Sequence, residues 1–172
     1  MDSVVFRISL FQDVGCGIGR VTQELLCQYV ENIDLVDASK KFINTAKESL
    51  KRFKNYRYFV QDIERFIPQP RKYDIIWAQW VLGYLSDDEF SRFLTRCAAA
   101  LSSPSCFIVI KDNINTTRWV DLVDGYIIRT DQEYRDIFHK SFLRICHSTP
   151  VDLGLGMSRV MMYFLTCQIN QS

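Results

Sequence analysis

The 172 residues amount to one domain's length of chain, and an apolar fraction of 48% is enough for a full core. Lys and Arg (21) nearly balance Asp and Glu (20), leaving a net charge of +1, so no basic stripe marks nucleic acid as the main partner. No apolar run reaches bilayer-spanning length, no membrane partner is expected, and Met1-Asp2-Ser3 lacks the charged head of a signal peptide. The six cysteines stand singly and the only histidines are His139 and His147. Neither a metal site nor a disulfide framework is therefore expected. A reducing compartment fits, with cytoplasm and nucleus as the expected location.

Taken in order, an apolar run (Val4, Val5, Phe6, Ile8, Leu10, Phe11) reads as a first strand. It leads into Asp13-Val-Gly-Cys-Gly-Ile-Gly-Arg20. Strand, glycine turn and helix begin a nucleotide-binding βα unit, in which missing side chains let the backbone approach a ligand. A dinucleotide fingerprint would need glycine at position 20, where Arg20 stands, so no pyrophosphate cradle is specified. G-x-G-x-G preceded by an acid is instead the pattern of S-adenosylmethionine enzymes, which makes Gly15 and Gly17 cofactor-binding candidates. A glycine turn without function is the alternative. Cys16 fits the turn as a small side chain rather than as a nucleophile.

A helix is expected over Arg20 to Tyr29, then a short buried strand, Ile33 to Asp37. Asp37 lies about twenty residues past the first glycine, where doubly wound folds place a carboxylate for ribose hydroxyls. It could also cap the next helix, a job for which Ser39 competes. That helix should run from Ser39 to Phe53 with Phe42, Ile43, Ala46 and Leu50 on one face. Tyr56 to Val60 is a third strand, and Gln61-Asp62 would lie beside an adenine. Pro68 and Pro70 break the chain before a fourth strand, Tyr73 to Trp77. Gln79 and Trp80, just past it, are placed to line the crevice at the strand ends. Ser86 followed by three acids reads as a helix cap, with the helix reaching Leu101.

Cys106 to Ile110 is a fifth strand, after which Lys111-Asp112-Asn113 would edge the crevice. Val120, Val123 and Ile127 have helical spacing, so Trp119 to Ile128 is expected as helix. Another helix should start near Arg129-Thr130-Asp131 and run through Phe138. Ser141 to His147 and Arg159 to Ile169, with Gly154 and Gly156 between them, should pair as an antiparallel hairpin.

Together these elements resemble an α/β class I methyltransferase: a seven-stranded Rossmann-like sheet with helices on both faces and a C-terminal antiparallel β-hairpin. Asp13 to Arg20, Leu35-Val-Asp37, Tyr73-Asp-Ile-Ile-Trp-Ala-Gln-Trp-Val-Leu-Gly83 and Ile108-Val-Ile-Lys-Asp-Asn113 are similar to the protein α-N-terminal methyltransferases. That resemblance implies S-adenosyl-L-methionine as cofactor and proteins beginning X-Pro-Lys as substrates. It implies cofactor contacts at Gly15, Gly17, Arg20, Asp37, Ser39, Gln61 and Gln79, and substrate contacts at Trp80, Asn113 and Asp124. Asp124 and Asn113 would be catalytic, with position 84 assigned to a proton-accepting His that this chain replaces by Tyr84. Gly125-Tyr126 replaces a pair of serines. The chain is expected to be a single methyltransferase domain, residues 1–172, without the family's N-terminal helical segment. A class I methyltransferase acting on a small molecule, or an inactive cofactor-binding protein, remain as alternatives.

Overall fold

The computed structural model describes residues 9–152, 154 and 159–168. Val4 to Ile8 of the first apolar run, Gly156 and Ile169 lie outside them. Five parallel strands, β1 (Phe11–Val14), β2 (Ile33–Asp37), β3 (Tyr56–Val60), β4 (Ile75–Gln79) and β5 (Phe107–Ile114), form most of one sheet. The helices are α1 (Arg20–Glu24), α2 (Lys40–Ser49), α3 (Asp87–Ala100) and α4 (Asp131–Lys140). After two short strands, β6 (Trp119–Val120) and β7 (Ile127–Ile128), the chain ends in β8 (Leu143–Val151) and β9 (Arg159–Cys167).

The seven-stranded sheet has the order β3-β2-β1-β4-β5-β9-β8, with β9 antiparallel to both of its neighbours. Strand order reverses between β1 and β4, and ligands of open α/β sheets bind outside the carboxyl ends at such a point. Two apolar clusters cover the two faces. Ile43, Ala46 and Leu50 of α2 pack with Leu35 and Trp77 on one side. Phe90, Phe93, Tyr134 and Phe138 of α3 and α4 pack with Ile76, Ile108 and Tyr163 on the other.

Local chemistry explains the element boundaries. Ser39 caps α2 by accepting from the Phe42 amide (3.3 Å). Capping boxes start α3 (Ser86 with Glu89) and α4 (Thr130 with Glu133). Two expectations about helices near the glycine turn need correction. The first helix stops at Glu24 and continues as a 3₁₀ turn over Leu26–Gln28, leaving Leu25 exposed. Phe42 also lies off the buried face of α2.

Two further corrections lie at the crevice. Strand β5 does not end at Ile110. Its antiparallel ladder with β9 runs on to Ile114↔Arg159, so Lys111, Asp112 and Asn113 are strand residues; Lys111 pairs with Gln79 at the end of β4, and Asp112 and Asn113 project past it. Trp119 to Ile128 is not helical. β-branched and aromatic residues pair as Trp119↔Ile128 and Val120↔Ile127 around a turn closed by Asp121, and Val123 points to solvent.

Candidate active site

The glycine turn is shaped by what surrounds it. Gly15, Gly17 and Gly19 all have positive φ (69°, 56° and 80°), a conformation cheap only for glycine. A Cβ on Gly15 would stand 2.5 Å from that of Val81, whereas one on Gly17 would meet nothing within 4 Å. The amides of Gly15 and Cys16 donate to the Val36 carbonyl (2.8 and 3.0 Å). Beneath the turn, the Thr22 hydroxyl donates to the buried Asp13 carboxyl (2.6 Å), tying the start of α1 to the end of β1. Burial raises the Cys16 thiol well above its ordinary range, with Asp13 adding to it, which fits a space-filling role.

A cleft of about 520 Å³ opens above this turn, within the size range of small-molecule sites. Gly15, Gly17, Asp37, Trp80 and Tyr84 line it, as the sequence predicts. Asp37 holds the turn in place. One carboxylate oxygen accepts from the Gly17 amide (2.9 Å) and the other from the Ser39 amide (2.8 Å). Arg20, Ser39, Gln61 and Gln79 do not line the cleft. Ser39 serves as the α2 cap, and the Gln61 amide donates to the Asp37 carbonyl (3.0 Å). Gln79, expected just past the fourth strand, is instead the last residue of β4, which starts at Ile75 rather than Tyr73, and it pairs in register with Lys111 on β5. Asp62, expected beside the adenine, is on the wall, together with Ala38, Phe42, Ile63, Glu64, Val81 and Leu85, which sequence reasoning did not assign to the cofactor. Phe42 was detectable in principle, because Ile43, Ala46 and Leu50 already complete the buried stripe of α2 without it.

Asn113 and Asp124 do not line the cleft either; Tyr84 on its wall links it to the β6–β7 turn. Trp80 sits at φ 53°, an unfavourable value for a bulky residue, and its buried indole N–H has no partner among the described residues. Lys111 Nζ lies 5.4 Å from the centre of its ring. Burial and the nearby Arg20 charge lower the Lys111 pKa. The Tyr84 hydroxyl donates to Asp124 (3.2 Å), so these two predicted residues are brought together. Burial and the Asp124 charge raise the Tyr84 pKa, keeping its phenol neutral at pH 7. The Asn113 side chain makes no hydrogen bond among the described residues, while its backbone amide donates to the Asp112 carboxylate (2.8 Å). Asp112, unassigned from the sequence, is the buried acid here, and it also accepts from the Tyr126 hydroxyl.

Burial pushes two carboxyls up to about 6: Asp13, where Thr22 opposes the shift, and Asp112, where Tyr126 and the Asn113 amide oppose it. Both titrate near 3.8 when unfolded, so between about 4 and 6 the folded chain holds protons that the unfolded chain has lost. Each group therefore makes folding more favourable as pH falls through that window, by about 1 kcal/mol between pH 7 and 5. Asp74 and Asp87 are shifted downward and lose their contribution only below it. Urea unfolding of wild type and Asp112→Asn at pH 7 and 5 checks this. The stability difference should move toward wild type at the lower pH, and a constant difference would contradict it.

A family model described as AdoMet dependent proline di-methyltransferase matches residues 3–166. The chain belongs to this family. The Xenopus laevis N-terminal Xaa-Pro-Lys N-methyltransferase 1-A is 40% identical over 138 residues, 77% of this chain and 60% of that protein. The human N-terminal Xaa-Pro-Lys N-methyltransferase 1 is 43% identical over 106 residues, 59% of this chain and 46% of that protein. The chain thus spans roughly half the length of the curated relatives it matches. A solved SAM-dependent methyltransferase from Leishmania major superposes with a TM-score of 0.88 at 29% identity, covering 92% of this chain and 65% of that one. The mitomycin 7-O-methyltransferase MmcR, 20% identical with a TM-score of 0.77, covers 94% of this chain and 49% of its own, and shares the fold.

The cofactor of this methyltransferase family, S-adenosylmethionine, fits the residues present. The glycine turn leaves open space at Gly17, Asp37 offers a carboxylate, and Trp80 on the wall has a buried N–H without a partner among the described residues. No phosphate cradle is built, in keeping with a ligand that has none.

Proposed function

We propose that this chain transfers methyl groups from S-adenosylmethionine to the α-amine of proteins that begin X-Pro-Lys. The observation that carries the reading is the Tyr84–Asp124 pair: Tyr84 lines the cleft with Trp80, and its phenol holds an exposed carboxylate where an ammonium would dock. The names of the relatives support the same substrate class.

Bound S-adenosylmethionine supplies a methyl on a sulfonium, open to in-line displacement by an amine lone pair. The protein's task is positioning, which alone can supply much of the acceleration. An α-amine titrates near 7.7–8.0, so a neutral fraction exists at cellular pH and no strong base is needed. Asp124 binds the ammonium form and passes its proton to solvent, to which it is open. Tyr84, neutral, orients that carboxylate by donating to it and does not accept the proton.

Mass spectrometry of an X-Pro-Lys peptide incubated with the chain and S-adenosylmethionine tests the reading, with an α-acetylated copy as control. Methylation of the free-amine peptide alone is the expected result. Methylation of neither peptide, with cofactor binding intact by titration, overturns the peptide reading. A small-molecule acceptor or an inactive cofactor-binding protein would then remain.

A further inference from the structure

Asp124 sits on a turn whose own hydrogen bonds are all local: the Asp121 amide donates to the Tyr126 carbonyl (2.8 Å), the Gly125 amide to the Asp121 carbonyl (2.9 Å) and the Val123 amide to the Asp121 carboxylate (2.8 Å). The β6–β7 ladder consists of two residue pairs, and Leu122 and Val123 in the turn are 96% and 95% exposed. A two-stranded ribbon is marginal by itself in water. What anchors the turn is Tyr126. Its amide donates to one oxygen of Asp124 (3.0 Å), while the other oxygen takes the Tyr84 hydroxyl. Its ring meets that of Tyr84 edge-on, with centroids 4.9 Å apart and planes at 83°. Its hydroxyl donates to buried Asp112, whose other oxygen has no partner among the described residues.

The seat for this ring is Gly83. A Cβ there would stand 2.5 and 2.6 Å from the two Cε carbons of Tyr126, although the Gly83 backbone has no positive φ. The glycine is needed for space and not for conformation. Tyr84 and Tyr126 are therefore one unit in space.

We propose that Tyr126 is the positioning residue of the acceptor site: seated on Gly83 and bonded to Asp112, it fixes the turn that presents Asp124 beside Tyr84. The role rests on the substrate reading above. Tyr126 reaches no reacting atom and acts through Asp124. Removing its hydroxyl leaves the buried Asp112 carboxyl with the Asn113 amide and the neighbouring Tyr134 phenol, and frees the turn, which loosens the ammonium site while the glycine turn and Asp37 are untouched.

The test uses the full chain and three variants: Tyr126→Phe, Gly83→Ala and the two combined. Hydrogen exchange over residues 119–128 reads the turn directly. In Tyr126→Phe it should accelerate about tenfold, the low end of what a hydrogen bond to a charged group is worth. KM for an X-Pro-Lys peptide should rise by a similar factor, with cofactor Kd unchanged. Gly83→Ala, which displaces the same ring, should act in the same direction, and the double variant should be no worse than the poorer single one. Unchanged exchange in Tyr126→Phe overturns the proposal even if the wild-type chain turns over the peptide. A loosened turn with unmoved KM also overturns it and leaves the substrate reading intact. A wild-type chain that does not methylate the peptide overturns the substrate reading, and the positioning role falls with it.

Discussion

Arg129→Met is expected to destabilise the folded chain by about 3 kcal/mol, the low end of the range for breaking a buried ion pair. Arg129 is fully buried although it carries a charge, and its guanidinium has three destinations. It donates to Asp87 (2.9 Å), to the Leu82 carbonyl (3.2 Å) and to the Leu85 carbonyl (2.5 Å), lying 5.3 Å from the centre of the Phe90 ring. Met fills similar volume but donates nothing, so the two carbonyls lose a partner in a dry environment. Asp87 keeps Arg118 (2.9 Å), which is why the low end applies. For a domain of this size the melting temperature should fall by roughly 10 °C. The carbonyls concerned flank Gly83 and Tyr84, so peptide affinity should fall as well, even at temperatures where the variant is folded. Calorimetry and peptide titration read the two effects. A loss of stability under 1 kcal/mol would mean that the turn carrying Tyr84 is held by its own 3₁₀ bonds instead.

Arg129 also shows where reading the sequence stops. Its position at the start of a helix was legible, because Thr130 and Glu133 spell a capping box. Its burial was not, since an arginine next to a cap is expected in solvent and only the tertiary fold brings Asp87 and the 82–85 turn to it. The parallel strands were readable from apolar runs bounded by turn residues: β2 and β3 have the predicted bounds. Asp37, Gly15 and Gly17 were readable because one short βα unit fixes them relative to each other. Asp112 and Asp124 differ in this respect. Asp112 belongs to a stretch of β5 whose ladder with β9 is non-local, and Asp124 to a turn between two short strands, where the helical spacing of Val120, Val123 and Ile127 arose without any buried face to enforce it. A period of 3.6 in three residues is weak beside a β-branched pair that finds a partner. Tyr126 was visible only as a departure from a pattern, and Gly83 explains it only once the ring is seen above it.

Asp37→Ala is expected to weaken cofactor binding by about 1.5–3 kcal/mol, the worth of hydrogen bonds to a charged group, or roughly ten- to a hundredfold in Kd. Two routes lead to that loss. As the acid at the end of β2, Asp37 is placed to accept ribose hydroxyls. It also holds the Gly17 and Ser39 amides, one on each oxygen, so its removal frees the glycine turn itself. Asp37→Asn separates the two in part, because its single carbonyl oxygen can no longer serve both amides. The ligand separates them fully. Titration with S-adenosylhomocysteine and with its 3′-deoxyribose analogue, in wild type and Asp37→Ala, completes a cycle. If Asp37 touches the ribose, the penalty of the mutation shrinks when the hydroxyl is gone. An equal penalty for both ligands assigns the whole effect to the turn. Because both carboxylate oxygens already accept one backbone amide and each has a second lone pair to give, the expected outcome is a partial reduction. An unchanged Kd in Asp37→Ala for either ligand would remove this residue from the site altogether, and with it the argument that the end of β2 marks where the cofactor lies.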